Sequence, residues 1–161
     1  MTRTEALPAG LRRLVLLLLV FAAGFACGGF SFVDTKARPL PKLETCRVHC
    51  LDNPQVLGLL TSVGLHLAPG LMPDLVAQTK DCVAVDSPEP EDKIDLVFFP
   101  LRDERDLLQA GAEDMPYLLG CIDLMRQLAA DRQLKDWRVL INGPVGQQIN
   151  YLHLHLLAGA P

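Results

Sequence analysis

The strongest constraint on this chain is an uncharged apolar run near its start. Residues 14–32 carry no charge and open with Leu14-Val15-Leu16-Leu17-Leu18-Leu19-Val20-Phe21. At ~1.5 Å of rise per residue, a helix of that length just covers a hydrocarbon core of ~30 Å. Arg12 and Arg13 stand at its front edge, and Asp34, Lys36 and Arg38 close its back. We read the run as a retained single-pass membrane anchor. A cleaved signal peptide is the alternative, with Gly24-Phe25-Ala26-Cys27 as its small-residue site. Basic residues flank both ends, so the positive-inside rule leaves the orientation open.

Subtracting the anchor from 161 residues leaves one domain's worth of chain. The expected division is an extension at 1–13, the anchor at 14–32, a linker at 33–45, a helical lead-in at 46–80 and a folded domain at 81–161. Ala37-Arg38-Pro39-Leu40-Pro41-Lys42 gives the linker its proline stiffening. A formal charge of −4 gives no electrostatic argument for a nucleic-acid partner.

Of the five cysteines, Cys27 lies in the apolar run. Cys46 and Cys50 are four apart with His49 between them, a spacing open to two free thiols, a disulfide or half of a zinc site. No second paired motif follows, so no metal is expected. Cys82 and Cys121 sit among apolar neighbours and read as small core residues.

Further along, Asp52-Asn53-Pro54 opens a short helix that should end near Gly64 or Pro69-Gly70. Cys82-Val83-Ala84-Val85 and Ile94-Asp95-Leu96-Val97-Phe98-Phe99 are β-type runs, the second halted by Pro100. Asp114 can cap a helix with Pro116 in its first turn, and Leu118, Ile122, Met125 and Ala129 recur at helical spacing. Trp137-Arg138-Val139-Leu140-Ile141 is a third strand ending at the turn Asn142-Gly143-Pro144, and residues 147–157 make a fourth. Strand, strand, helix, strand, strand points to an α+β fold, an antiparallel sheet carrying a helix on one face.

The last strand is the most informative. In Tyr151-Leu152-His153-Leu154-His155-Leu156-Leu157, side chains alternate faces with period two. Leu152, Leu154 and Leu156 form a core row, and Tyr151, His153 and His155 form an opposed polar row. Two histidines at i and i+2 stand ~6–7 Å apart at ~3.3 Å per residue, so both rings can converge on one phosphate-sized group. Two surface histidines on a half-exposed strand would be the plainer reading. The unbroken leucine row and the Gly146-Gln147 loop before it favour a functional pair.

This strand resembles the closing motif of the histidine triad (HIT) family of nucleotide-binding proteins, which alternates three histidines with apolar residues. The resemblance runs back through Gly146-Gln147, Trp137-Arg138-Val139-Leu140-Ile141-Asn142, Leu118-Leu119-Gly120 and the two early strands, covering about residues 81–159. It implies a HIT-like antiparallel sheet with a central helix, no cofactor, and a homodimer as an option. It also implies a purine nucleotide attacked at its α-phosphorus by His153, with His155 on the phosphate and Asn142 and Gln147 donating nearby. The implied intermediate is a covalent nucleotidyl-histidine that water hydrolyses, and a neutral imidazole is a fit nucleophile near pH 7.

The chain also departs from the family. Tyr151 stands in place of the first histidine, and Asp95 stands where many members carry another. The acidic residue that holds the ribose hydroxyls falls on Ser87, with Asp86 one residue away. With these departures, and with an anchor most members lack, the sequence favours an accessory or structural subunit of a membrane complex. An organellar inner membrane, mitochondrial for instance, is the expected setting. A nucleotidyl hydrolase or transferase acting through His153, with Tyr151 and Ser87 contacting substrate, is the alternative.

Overall fold

A computed structural model describes residues 8–41 and 51–159, and the chain divides into two units, Met1–Val33 and Asp34–Pro161. Cys46 and Cys50 lie outside the described residues. The first unit is described as one helix, α1 (Ala9–Phe32), which begins directly after Pro8 and takes in Arg12 and Arg13 near its start. Among the described residues it is the one helix long and apolar enough to cross a membrane, and none of its apolar stretch is buried. At ~1.5 Å per residue its 24 residues reach ~36 Å.

The second unit is built on a five-stranded antiparallel sheet. In chain order its elements are α2 (Asn53–Leu67), β1 (Leu75–Gln78), β2 (Cys82–Asp86), β3 (Ile94–Pro100), α3 (Met115–Asp131), β4 (Trp137–Leu140) and β5 (Leu154–Ala158). The strands lie in the order β1-β2-β3-β5-β4, so β3 is central, β5 lies between β3 and β4, and β1 and β4 are the edges. Hairpin β2–β3 pairs Val83 with Phe99 and Val85 with Val97, and β3–β5 pairs Leu96 with Leu156 and Val97 with His155.

Period two sorts these strands into two layers. Cys82, Ala84, Leu96, Phe98, Leu152, Leu154 and Leu156 face α3 and form the main core with Leu118, Cys121, Leu124, Met125 and Ala129. Val83, Val85, Val97, Phe99 and Tyr151 face the other way and pack with Leu65 of α2. Each fully buried Leu or Phe contributes about 1.5–3 kcal/mol relative to exposure.

Four expectations change. Cys82 and Cys121 are core residues as expected, but they are joined in a disulfide (S–S 2.02 Å) that staples β2 to α3. Nothing in a one-dimensional pattern pairs residues 39 apart, because the pairing depends on how the helix crosses the strand. The buried stripe of α3 follows that staple through Leu118, Cys121, Met125 and Ala129, leaving Ile122 42 % exposed on its flank.

The described part of the expected linker is docked. The backbone N–H of Lys36 donates to Asp103 at 2.7 Å, Arg38 forms an ion pair with Asp103, and Pro41 bridges to Leu51. Charges that read in sequence as the flank of the apolar run are thus matched inside the fold. The lead-in holds a strand, β1, after the left-handed Asp74 (φ 53°), and it pairs irregularly with β2. Finally, the last strand is shorter than 147–157. Residues 148–151 turn, with Asn150 N–H donating to Pro54 O at 2.9 Å, before the chain enters β5 at Leu154.

Candidate functional site

The α2-facing side of the sheet carries the polar row. His153 lies just before β5 and His155 within it, their ring centroids 5.2 Å apart. Both are buried, and the His153 ring sits 5.7 Å from that of Phe99 on β3. Together they line a cavity of about 130 Å³ whose other walls include Ser87, Asn142, Val97 and Gln148.

Each imidazole has one nitrogen committed. His153 Nδ1 lies 2.6 Å from Tyr151 O, and since a carbonyl can only accept, that nitrogen carries the proton. The neutral ring therefore has its lone pair on Nε2. Burial, chiefly, and the neighbouring His155 push the His153 pKa below its ordinary value, while the Tyr151 carbonyl and Asp95 act in the opposite sense. His155 Nδ1 lies 2.9 Å from Asp95 Oδ1, whose side chain is wholly buried. The other oxygen of Asp95 accepts from Glu91 N–H at 3.1 Å. The Asp95 carboxylate, a departure from the family pattern in sequence, is thus paired with an imidazole from the adjacent strand.

Of the expected site residues, Ser87, Asn142, His153 and His155 come together at the cavity, whereas Gln147 and Tyr151 do not. Gln147 is buried and donates from Nε2 to Asn142 O at 3.2 Å, supporting the loop from behind, and Gln148 takes the wall position. The turn at 148–151 interrupts the strand expected over 147–157, and with it the role that the resemblance implied for Gln147. Tyr151 keeps to that side of the sheet but packs edge-on against Phe99 and donates its hydroxyl to Pro100 O at 2.6 Å. Burial, chiefly, and the Asp103 charge raise its pKa, and Arg38 opposes them, so it stays a protonated donor. Sequence reading missed Gln148, Glu89 and Glu91 as wall residues, and Asp95 as the partner of His155. The one signal for the last was an acidic residue at an inward position of an otherwise apolar strand. Among the described residues, no cluster of three metal-ligating side chains forms.

No protein-family profile matches the sequence, and no curated protein matches it. Solved structures do. A HIT family hydrolase from Legionella pneumophila aligns at 24 % identity over 60 % of this chain and 91 % of its own, with a TM-score of 0.54. A histidine triad protein from Clostridium difficile aligns at 20 % identity over 62 % of this chain and 90 % of its own, with a TM-score of 0.54. A HIT family hydrolase from Clostridium thermocellum gives 19 %, 61 %, 90 % and 0.55. Such a likeness is one of fold. The Asp34–Pro161 unit has a HIT-like fold.

Proposed function

We propose that this chain is a membrane-anchored HIT-like protein that binds a purine nucleotide at the His153–His155 cavity and acts on its α-phosphorus through His153. One observation carries the reading: Tyr151 O holds the Nδ1 proton of His153, which leaves Nε2 as the nucleophilic atom of a residue lining an open cavity. In the proposed reaction Nε2 forms a bond to phosphorus as the bond from phosphorus to the leaving group breaks. In this step His155 enters doubly protonated, with Nδ1–H on Asp95 and Nε2–H on the leaving group, which takes that second proton. Water then displaces the histidine, giving its proton back to His155 Nε2 and releasing the nucleoside monophosphate. Asn142, Ser87 and Gln148 supply polar contacts to phosphate and ribose, with Tyr151 and Gln147 behind the wall.

The test is turnover of a purine nucleoside phosphoramidate or a dinucleotide by the full chain in detergent, with a nucleotidyl adduct trapped on His153. His153→Ala should abolish both, and full activity in that variant would end the proposal. The Asp95–His155 pair favours this reading over the degenerate accessory subunit, because the replaced position keeps a hydrogen-bonding role. The accessory reading has its own support in the exposed edge strand β4, where Trp137 is 46 % exposed beside exposed Val139. That edge suits a partner subunit or a second copy of the chain. Co-purification in mild detergent with a larger complex, without turnover, would favour it.

The buried disulfide supports a domain on an oxidising side of its membrane, such as the outer side of an organellar inner membrane. Alkylation of intact cells before lysis tests this, since free Cys82 and Cys121 would contradict it.

A further inference from the structure

The segment between the anchor and the HIT-like sheet makes contacts that end at the nucleophile. Arg38 and Asp103 are buried partners, their side chains 1 % and 2 % exposed. Asp103 also accepts from Lys36 N–H and from Ser62 Oγ of α2 at 2.9 Å, and the Lys36 ammonium pairs with Glu104. Strap and α2 thereby fix residues 103–104. Glu104 O then accepts from Leu152 N–H at 2.6 Å. That N–H belongs to the same rigid peptide unit as Tyr151 C=O, the acceptor of the His153 Nδ1 proton at 2.6 Å.

A second set of contacts reaches the preceding peptide. Arg38 donates from Nε and Nη2 to Asn150 O, both at 3.3 Å. The same carbonyl abuts α2 where only glycine fits, because a Cβ on Gly58 would lie 2.1 Å from it. Asn150 N–H in turn donates to Pro54 O at the start of α2.

We propose that residues 34–41 and α2 form a clamp that sets the tautomer and orientation of His153, with Arg38 as its positioning residue. The clamp deepens the reading of His153 as nucleophile and rests on it for its functional consequence. Its geometry stands apart from any activity. A desolvated guanidinium is an expensive way to hold a strap to a surface. Here its donors are shared between Asp103, the Lys36 carbonyl and the Asn150 carbonyl, so the strap is ordered against the turn that enters β5. If either peptide rotates, His153 loses the acceptor that keeps its proton on Nδ1 and its lone pair on Nε2.

The test uses the full chain in detergent micelles with 15N-labelled histidine, whose ring-nitrogen shifts report the tautomer of each imidazole. His153→Gln assigns the signal. In the native protein His153 should be the Nδ1–H form. Arg38→Lys and Gly58→Ala, which disturb the Asn150 carbonyl from opposite sides, should give mixed tautomers and lower kcat about tenfold or more with KM little changed. Met125→Ala on the α3 side should lower the melting temperature with the tautomer intact. Folded Arg38→Lys and Gly58→Ala proteins with the native tautomer would overturn the clamp, whatever their activity. If Arg38→Lys does not fold, Arg38→Met with Asp103→Leu removes both buried charges, and a native tautomer in that folded double variant overturns it equally. A tautomer shift in a protein that turns over no nucleotide would sustain the clamp and reject the catalytic reading.

Discussion

The two faces of the sheet solve opposite problems with the same strands. Toward α3, alternate residues of β2, β3 and β5 are apolar and closed by a covalent staple, with every large side chain buried against another. Toward α2, the intervening residues mix Val83, Val97 and Phe99 with two imidazoles and a buried carboxylate, and the Arg38–Asp103 ion pair is buried outside the strands. The first face accounts for stability through apolar burial and the disulfide. The second carries groups that are costly to desolvate, and it holds them with hydrogen bonds drawn from four separate segments. A fold can carry such a polar layer when the opposite layer is dry enough to offset it.

The sharpest way to break that division is to empty the dry face. Phe98 is fully buried in the α3 core, so Phe98→Ala should cost about 3–5 kcal/mol. Chemical denaturation would measure the loss, and the activity per folded molecule should stay near native. A loss of kcat in the folded fraction would mean that the faces are coupled more tightly than their contacts indicate.

Next in size is the staple. Closing a loop of 39 residues removes denatured-state entropy equivalent to about 4 kcal/mol, and measured losses run to about 2–4. Cys82→Ala with Cys121→Ala should therefore shift the denaturation midpoint by that order, and reducing agent should reproduce the shift in the native protein. If neither moves the midpoint, the two thiols are not bridged.

Asp95→Asn probes the other face at smaller cost. An amide can accept from His155 or offer its donors, but Asp95 accepts on both oxygens, from His155 and from Glu91 N–H. Either one of those bonds is lost, at about 1–3 kcal/mol, or His155 changes tautomer so that Nδ1 accepts from the amide. The larger consequence is functional. His155 loses the anion that fixes its ring, and kcat should fall about a hundredfold, the range of one acid–base contribution. Near-native kcat would return Asp95 to a purely structural part.

What the sequence made legible follows the same division. The leucine row at 152–156 and Leu96 and Phe98 of β3 pack against partners that are simply apolar, and any apolar partner satisfies them. Their elements, and the helix opening at Asp114-Met115-Pro116, are where local chemistry puts them. The polar face was legible only in part, because polar groups need particular partners. His153 and His155 could be gathered because alternation put them on one side, and Asn142 and Ser87 because the family resemblance implied them. Gln147 could not, since one turn at 148–151 changes which glutamine faces the cavity. Arg38 read as linker charge, its partner Asp103 being 65 residues away. The Cys82–Cys121 bridge was hidden for the same reason.

The smallest expected effect is the pH response, and it bears on both faces at once. Burial lowers the His153 pKa below 6.5, the value of an exposed imidazole, and the charge on His155 adds to that, while Asp95 opposes. The acid limb of kcat/KM should lie below 6.5 for that reason. The stability sign follows from proton counting. As pH falls through 6.5 the unfolded chain binds a proton at this residue before the folded chain does, so unfolding is favoured. The stability associated with neutral His153 is fully present above 6.5 and is lost as pH falls from there toward the folded value. His153→Gln should flatten that part of the stability profile. Asp95→Asn removes a charge that raises the His153 pKa, so its acid limb should move lower than that of the native protein. Superimposable limbs in the two proteins would assign the titration to another group, and would detach the polar face from the nucleophile it is arranged around.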